Sequence, residues 1–223
     1  MKATAIILCG GKERRFGSSK ALAVVGGKAV IERVIERLST LSDQMILVTS
    51  PEKAGNPLTE KADVLVDRYP GKGPLGGIYT GLVGAKHPRA IVVGCDMPFL
   101  NTALLRYMLD VSEGFDAVIP RLDGGMVEPL HAVYSRTCLP VMKARLERDE
   151  LAINRLLGEL HIKYLEKPEY LPLDPRMLSF FNINYPEDLV RANEIAREVD
   201  QAERQIRNPN TEIRNKHELP KSE

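Results

Sequence analysis

The sequence has few of the features that mark secreted, membrane or polyanion-binding proteins. Tryptophan is absent, and there are only three widely spaced cysteines, which suit neither a disulfide framework nor a Cys-x-x-Cys metal site. Lysine and arginine nearly balance aspartate and glutamate, so the formal net charge is +1 and no overall field favours nucleic acid or an anionic membrane. The first apolar run, Ala3–Cys9, is too short for a signal peptide or a membrane span. We therefore expect a protein of the reducing cytoplasm.

Short apolar runs alternate with longer segments of helical period, which predicts an α/β fold with a mostly parallel sheet. The 223 residues suit one domain, 1–207, followed by a polar segment, 208–223, that is expected to be disordered. The predicted strands are Ala3–Leu8, Met45–Val48, Asp63–Val66, Ala90–Gly94, Ala117–Pro120, Val127–Ser135 and His161–Glu166. The predicted helices are Lys28–Leu41, Gly76–Ala85, Thr102–Leu109, Thr137–Leu146, Ala152–Leu157 and Pro186–Ile206.

A loop rich in glycine and cations follows the first predicted strand. Gly10 and Gly11 would let backbone N–H groups approach phosphate oxygens, and Arg14, Arg15 and Lys20 could converge on the same anion. The spacing matches neither the P-loop nor the dinucleotide-binding glycine pattern. A plain turn with solvated cations is the alternative, but the carboxyl end of a parallel strand is where open α/β sheets bind ligands.

Carboxylates end two other predicted strands. Asp96 follows Ala90–Gly94, where it could hold Mg²⁺ together with water and substrate phosphates, or could simply cap the helix that follows. Asp67 precedes the glycine-rich loop Gly73–Gly77, which could admit a base or ribose or could be a connector only. The common position of Asp96 and the cation loop at strand ends favours metal binding.

Later segments offer polar groups whose roles are less marked. Asn182 and Asn184 would share one face if they lay in a strand, and their amides could contact an anionic acceptor, ligate metal or cap the closing helix. Glu128 could face a substrate. His131, alone in an apolar strand, is interpreted as a hydrogen-bonded packing residue. No serine, histidine or cysteine arrangement indicates covalent catalysis.

Five motifs in this order resemble molybdenum cofactor guanylyltransferases. The first is shared with many nucleotidyltransferases, whereas the other four are more particular to the family. The resemblance spans Ala3 to about Leu189. The motifs are LCGGKERRFGSSKAL (Leu8–Leu22), GPLGGIYTGL (Gly73–Leu82), GCDMPFL (Gly94–Leu100), EPLHAVYS (Glu128–Ser135) and FFNINYPEDL (Phe180–Leu189).

The resemblance implies a Rossmann-like three-layer nucleotidyltransferase fold that transfers GMP from GTP to the phosphate of molybdopterin cofactor and releases pyrophosphate. It makes Asp96 the Mg²⁺ ligand and, with Lys20 and Arg15, a catalytic residue. Asn182 and Asn184 would contact the acceptor. The implied nucleotide contacts are Leu8, Cys9, Gly10, Gly11, Arg14, Lys20, Asp67, Gly73, Pro74, Gly76 and Asp96.

Two other functions remain open from the sequence. A related transferase could use CTP or a sugar-phosphate acceptor, and a non-catalytic molybdopterin carrier would need no metal-holding carboxylate. Contact with molybdoenzymes or cofactor-synthesis proteins is expected to be transient, and no contact with nucleic acid or membrane is expected.

Overall fold

The computed structural model describes residues 2–10, 20–53 and 61–207. Seven strands form one sheet, and two short strands form a separate hairpin. The strands are β1 Ala3–Cys9, β2 Val24–Val25, β3 Lys28–Ala29, β4 Ser42–Thr49, β5 Asp63–Val66, β6 Arg89–Gly94, β7 Ala117–Pro120, β8 His131–Ser135 and β9 Ile162–Leu165. The helices are α1 Val30–Leu38, α2 Gly73–Gly84, α3 Thr102–Asp110, α4 Leu139–Glu147, α5 Ile153–Leu157, α6 Lys167–Tyr170 and α7 Pro186–Arg207.

The main sheet has the order β5-β4-β1-β6-β8-β7-β9 and is mostly parallel. Strand β8 runs antiparallel to both of its neighbours, β6 and β7, while the other paired strands are parallel. The apolar runs of β1, β6 and β7 are buried on both faces, as expected for strands of a mostly parallel sheet that helices cover. The predicted α/β class with a mostly parallel sheet is confirmed.

Two hydrophobic cores cover the two faces of this sheet, which makes the fold a three-layer sandwich. Alternate residues of β1 divide between them: Ala5 and Ile7 pack with α1, α3 and α7, whereas Ile6 and Leu8 pack with α2, α4 and α5. In the described ranges, no helix is long and apolar enough to cross a membrane.

The first helix is shorter than the sequence predicted. Lys28 and Ala29 pair with Val25 and Val24 in the β2–β3 hairpin instead of continuing α1. The turn between them consists of Gly26–Gly27, whose φ angles of +57° and +78° suit glycine. Hairpin pairing therefore competes with the helical period at this point, and α1 begins at Val30 and ends at Leu38.

The predicted strand Val127–Ser135 is also shorter, because its first half is a turn. The N–H of His131 donates to the carbonyl of Glu128 at 3.2 Å, and Pro129 between them has no N–H for a ladder. Val127 forms only an isolated bridge with Arg121, so β8 begins at His131.

His131 is completely buried, as expected for a packing residue, but the expected hydrogen bond is not found. Neither ring nitrogen has a hydrogen-bond partner among the described residues. The ring lies edge-on to Phe180, with centroids 5.0 Å apart. Burial lowers the pKa of His131 from 6.5 to about 4, because the charged imidazolium would lose its hydration.

We expect His131 to make the protein less stable as the pH falls from about 6.5 to 4. The unfolded chain takes up a proton at the ordinary pKa, whereas the folded chain stays neutral until the pH reaches about 4. The loss over this window is about 3 kcal/mol for a shift of this size. Urea denaturation at several pH values should show a flatter profile for His131→Leu, after subtraction of its packing change at pH 7. Parallel profiles for the two proteins would contradict this.

Candidate functional site

The order in which the chain adds strands to the sheet reverses between β1 and β6, which are parallel to each other. After β1 the chain builds β4 and β5 on one side of it, and then crosses back to place β6 on the other side. Ligands of open α/β sheets bind outside the carboxyl ends of the strands at such a switch point. Gly10 directly follows β1, and Cys95 and Asp96 directly follow β6.

Backbone pairing holds these two strand ends together. Leu8 is the partner of Gly94 in the last pair of the β1–β6 ladder, and the N–H of Cys95 donates to the carbonyl of Leu8 at 3.1 Å as part of that pair. Gly10 and Asp96 each lie two residues beyond this pair, at the same edge of the sheet. A ligand at this edge would therefore meet both strand ends.

Asp96 has a cation beside it and is partly withdrawn from water. The Nζ of Lys20 lies 3.9 Å from its Oδ2, and the two side chains are only 19% and 27% exposed. Burial raises the pKa of Asp96, while the charge of Lys20 opposes that shift. A carboxylate in this position is stabilised by any further cation that reaches it.

Lys20 also joins the start of the domain to the segment before α7. Its Nζ donates to the Oδ1 of Asn184 at 2.8 Å. Asn184 is held in turn by Asp188, whose Oδ2 accepts the N–H groups of Asn184 and Tyr185 at 2.8 and 2.9 Å. Lys20, Asp96 and Asn184 therefore meet at one place, although they are far apart in the sequence.

The two asparagines do not lie in a strand, which corrects the shared-face interpretation. The segment 181–184 belongs to no strand or helix, and the N–H of Ile183 donates to the carbonyl of Asp96 without joining a ladder. Asn182 Nδ2 lies 3.5 Å from the carbonyl of Phe180. The side chain of Asn184 contacts Lys20 and does not cap α7, whose first turn is held by Asp188.

Asp67 lies at the end of β5, on the far side of β4 from the switch point, and its carboxylate has a local structural role. Its Oδ1 accepts hydrogen bonds from the N–H of Tyr69 at 3.0 Å and the hydroxyl of Thr80 at 2.9 Å. These bonds fix the loop to α2. Asp67 therefore shapes the loop before α2 and is not part of the Lys20–Asp96 contact.

The glycine-rich loop forms the beginning of α2, three residues earlier than predicted. Gly73 has φ +67° and Pro74 stands in the first turn, where a proline lacks no needed donor. Lys72, the N-cap residue, makes no side-chain cap. Gly77 faces Leu8, since a Cβ built on it would lie 3.3 Å from the leucine Cδ2. The amide-rich start of α2 thus lies at the same sheet edge and suits an anion.

Glu128 lies near Asp96, a position that the sequence did not reveal. Strand β8 pairs with β6 through Val93 and His131, and the N–H of Gly94 donates to the carbonyl of Leu130, so the turn before β8 lies beside Asp96. Burial raises the pKa of Glu128, and the charge of Asp96 raises it further. Knowledge that β8 runs antiparallel to β6 would have placed Glu128 near Asp96.

Two predicted nucleotide contacts, Gly11 and Arg14, and the predicted catalytic residue Arg15 lie outside the described residues. In residues 2–10, 20–53 and 61–207, no group of three or more His, Cys, Asp or Glu side chains could hold a metal ion. The oxygen groups at this edge fit Mg²⁺, which binds one or two carboxylates and takes water and phosphate for the rest.

Comparison with known proteins gives the family. The model of the MobA-like NTP transferase domain matches residues 5–163. The chain is 37% identical over 196 residues to the probable molybdenum cofactor guanylyltransferase of Pelotomaculum thermopropionicum, which covers 88% of this chain and 94% of the relative. The chain belongs to the molybdenum cofactor guanylyltransferase family.

One further family member and two solved structures are also similar to this chain. The molybdenum cofactor guanylyltransferase of Desulfosudis oleivorans is 35% identical, over 85% of this chain and 93% of the relative. Molybdopterin-guanine dinucleotide biosynthesis protein A from Archaeoglobus fulgidus superposes with a TM-score of 0.77 at 31% identity, over 87% of this chain and 99% of that one. A cytidylyltransferase from Thermus thermophilus, acting on 2-C-methyl-D-erythritol 4-phosphate by its name, has a TM-score of 0.65 at 19% identity over 88% and 100%, and shares the fold.

We expect Gly94→Ala to impair the site more than the fold. A Cβ at Gly94 would lie 2.6 Å from Asp96 Oδ1, so the short Asp96 side chain would have to move and its contact with Lys20 would change. Nucleotidyl transfer should fall by tenfold or more while the Tm changes little. Gly81→Ala is the matched control, because its Cβ would lie 2.4 Å from the buried Ile6 and should lower the Tm. Full activity in Gly94→Ala would show that the Asp96 rotamer is unimportant.

Proposed function

We propose that this protein transfers GMP from GTP to the phosphate of molybdopterin cofactor, forming the guanine dinucleotide cofactor and releasing pyrophosphate. One observation carries the proposal: Asp96 follows β6 at the switch point, at the same sheet edge as Gly10 after β1, and the Nζ of Lys20 lies 3.9 Å from its Oδ2. The names of the family members state guanylyl transfer. This site and that reaction suit each other, because transfer between phosphates needs alignment and charge and little else.

The acceptor phosphate attacks the α-phosphorus of the nucleotide in line, and pyrophosphate leaves on the opposite side. The nucleophile is already an anion, so no general base is needed. Lys20 stabilises the charge on the reacting phosphates, and its hydrogen bond to Asn184 sets the position of its ammonium group. Arg15 is proposed to assist Lys20 in this role.

Asp96 is the residue that would hold Mg²⁺. The raised pKa caused by burial means that this carboxylate gains from a cation close to it. When bound, the ion would neutralise phosphate charge and hold the triphosphate in one geometry. Lys20 already contacts the Asp96 carboxylate, and therefore this carboxylate would hold both the Lys20 ammonium group and the Mg²⁺ ion.

The nucleotide is proposed to lie across the β1 side of the edge. Gly10 and Gly11, with Arg14, would take the triphosphate beside Leu8 and Cys9, and the start of α2 at Gly73, Pro74 and Gly76 would border the nucleoside. Asp67 would act there through the loop that it holds.

The acceptor is proposed to approach from the α7 side. Asn184 touches Lys20, and Asn182 lies next to the Ile183–Asp96 backbone contact. Amides at these positions would donate to the anionic acceptor phosphate and orient it toward the nucleotide.

The wider proposals follow from the sequence. Residues 1–207 would form the catalytic domain, while the segment 208–223, for which the sequence analysis expects disorder, lies outside the described residues. We propose that the protein works in the cytoplasm and meets molybdoenzymes or cofactor-synthesis proteins transiently.

The assay that tests this function is Mg²⁺-dependent pyrophosphate release with GTP or CTP, each with and without molybdopterin cofactor. We expect release only with GTP and the cofactor together, and at least a hundredfold loss in Asp96→Ala with the Tm retained. Preference for CTP would identify a sibling transferase. Binding of the cofactor without release in any combination would identify a carrier.

Lys20→Ala should lower kcat and weaken triphosphate binding. The charge that contacts Asp96 is lost, and so is the tether to Asn184. Asn184→Ala is the matched comparison, because it removes the tether and keeps the charge, so its kcat should fall less and its KM for the acceptor should rise more. Steady-state kinetics with both substrates separate these effects. Unchanged kinetics in Lys20→Ala would remove its assigned role.

A further inference from the structure

Two cysteines flank the last pair of the β1–β6 ladder at the switch point. Leu8 and Gly94 are that pair, Cys9 follows Leu8 and Cys95 follows Gly94, and the N–H of Cys95 donates to the carbonyl of Leu8, which shares a peptide bond with Cys9. Adjacent parallel strands are about 4.8 Å apart, which falls within the usual Cα separation of a disulfide. Backbone spacing therefore permits a bond between the two sulfur atoms.

Both side chains point to the same face of the sheet. Cys9 follows Ala5 and Ile7 at intervals of two along β1, and Cys95, one residue past the end of β6, follows Ile91 and Val93 at the same interval. All of these residues pack against the core that includes α1, α3 and α7. The sulfur atoms are consequently on one side of the sheet and not separated by it.

The two thiols are also more accessible than the third. Cys9 and Cys95 are half-buried at the edge where the ligands are proposed to enter. Cys138 is fully buried on the opposite core, and its thiol donates to the carbonyl of Asp116 at 3.2 Å. Burial raises the pKa of Cys138 to about 12, which leaves it almost without reactive thiolate.

We propose that Cys9 and Cys95 are a modification site that closes to a reversible disulfide when a two-electron oxidant of the peroxide class reaches the edge of the sheet, and that this disulfide stops nucleotidyl transfer.

The chemistry balances with hydrogen peroxide as the oxidant. One thiol attacks a peroxide oxygen, which breaks the O–O bond, releases one water and leaves a sulfenic acid. The second thiol attacks that sulfur and releases the second water. Two thiols are oxidised and one peroxide is reduced to two waters, so the chain loses two hydrogen atoms. A dithiol reductant reverses the bond by exchange.

The disulfide would act on the site because each sulfur atom is one residue from it. Cys9 precedes Gly10, and Cys95 precedes Asp96. A bond between them would pull the two strand ends together, and so move the backbone of Gly10 and the Asp96 carboxylate from the places proposed for the phosphates and the cation. The inactivation part of this inference rests on the proposed function, whereas disulfide formation does not.

The test uses the full reduced chain treated with hydrogen peroxide, followed by intact mass measurement and peptide mapping without reductant. We expect a loss of about 2 Da and a cross-link between the peptides that contain Cys9 and Cys95. Pyrophosphate release should fall at least tenfold and return with dithiothreitol. Retention of all thiols, or oxidation of one cysteine to sulfinic acid without a cross-link, would overturn the proposal.

Two variants separate this pair from general oxidation damage. Cys95→Ala should lose both the cross-link and the peroxide sensitivity, while Cys138→Ala should keep both; each is compared with its own activity before treatment. A cross-link without loss of activity would overturn the inactivation step. If the proposed reaction itself fails, the mass and the peptide map still decide whether the disulfide forms.

Discussion

The pairing of β1 with β6 is the constraint on which the rest of the site depends. The last pair of the ladder, Leu8 and Gly94, includes the hydrogen bond from Cys95 to Leu8 and brings the strand ends that precede Gly10 and Asp96 to one edge. The site is therefore a property of strand register, and a slip of one residue would turn Asp96 to the opposite face.

A stripe of glycines keeps α2 close enough to the sheet to share this edge. Gly77, Gly81 and Gly84 recur at helical spacing, and a Cβ on any of them would approach Leu8, Ile6 or Leu65 at 2.4 to 3.3 Å. A helix with ordinary side chains at these places would have to move outward. Its first turn would then leave the carboxyl edge of β1, and the backbone amides at Gly73–Gly77 would no longer face a ligand there.

How much of the molecule can be predicted from its sequence depends on whether the signal is local. The parallel strands were predictable because strands buried on both faces read as continuous apolar runs, and the edge position of Asp96 follows from the strand that precedes it. The β2–β3 hairpin was missed because Val24–Val25 and Lys28–Ala29 are too short to show a period. The direction of β8 was not predictable, because an apolar run does not show which way its strand runs. The position of Glu128 depends on that direction, so it could not be predicted either.

Contacts between distant segments could not be predicted at all without the fold. Lys20 and Asn184 are separated by 164 residues, and no local pattern in either segment names the other. The hydrogen bonds from the backbone of Asn184 to Asp188 are local, and the Pro-Glu-Asp that begins α7 does show in the sequence. The sequence therefore indicated where α7 starts, but not that the side chain of Asn184, just before α7, would contact Lys20.

The charges at this edge of the sheet determine how a nucleotide could bind there. Asp96 and Glu128 are both partly withdrawn from water, and each has a raised pKa, whereas Lys20 is the described cation in contact with Asp96. Two carboxylates would repel a bare triphosphate. They would attract it once a cation lies between them and the phosphates, because the ion then replaces the lost hydration of the carboxylate and neutralises the ligand as well. The burial that makes Asp96 costly to ionise is thus the same feature that would make a metal-bound nucleotide a better ligand than a free one, if the proposed metal binding holds.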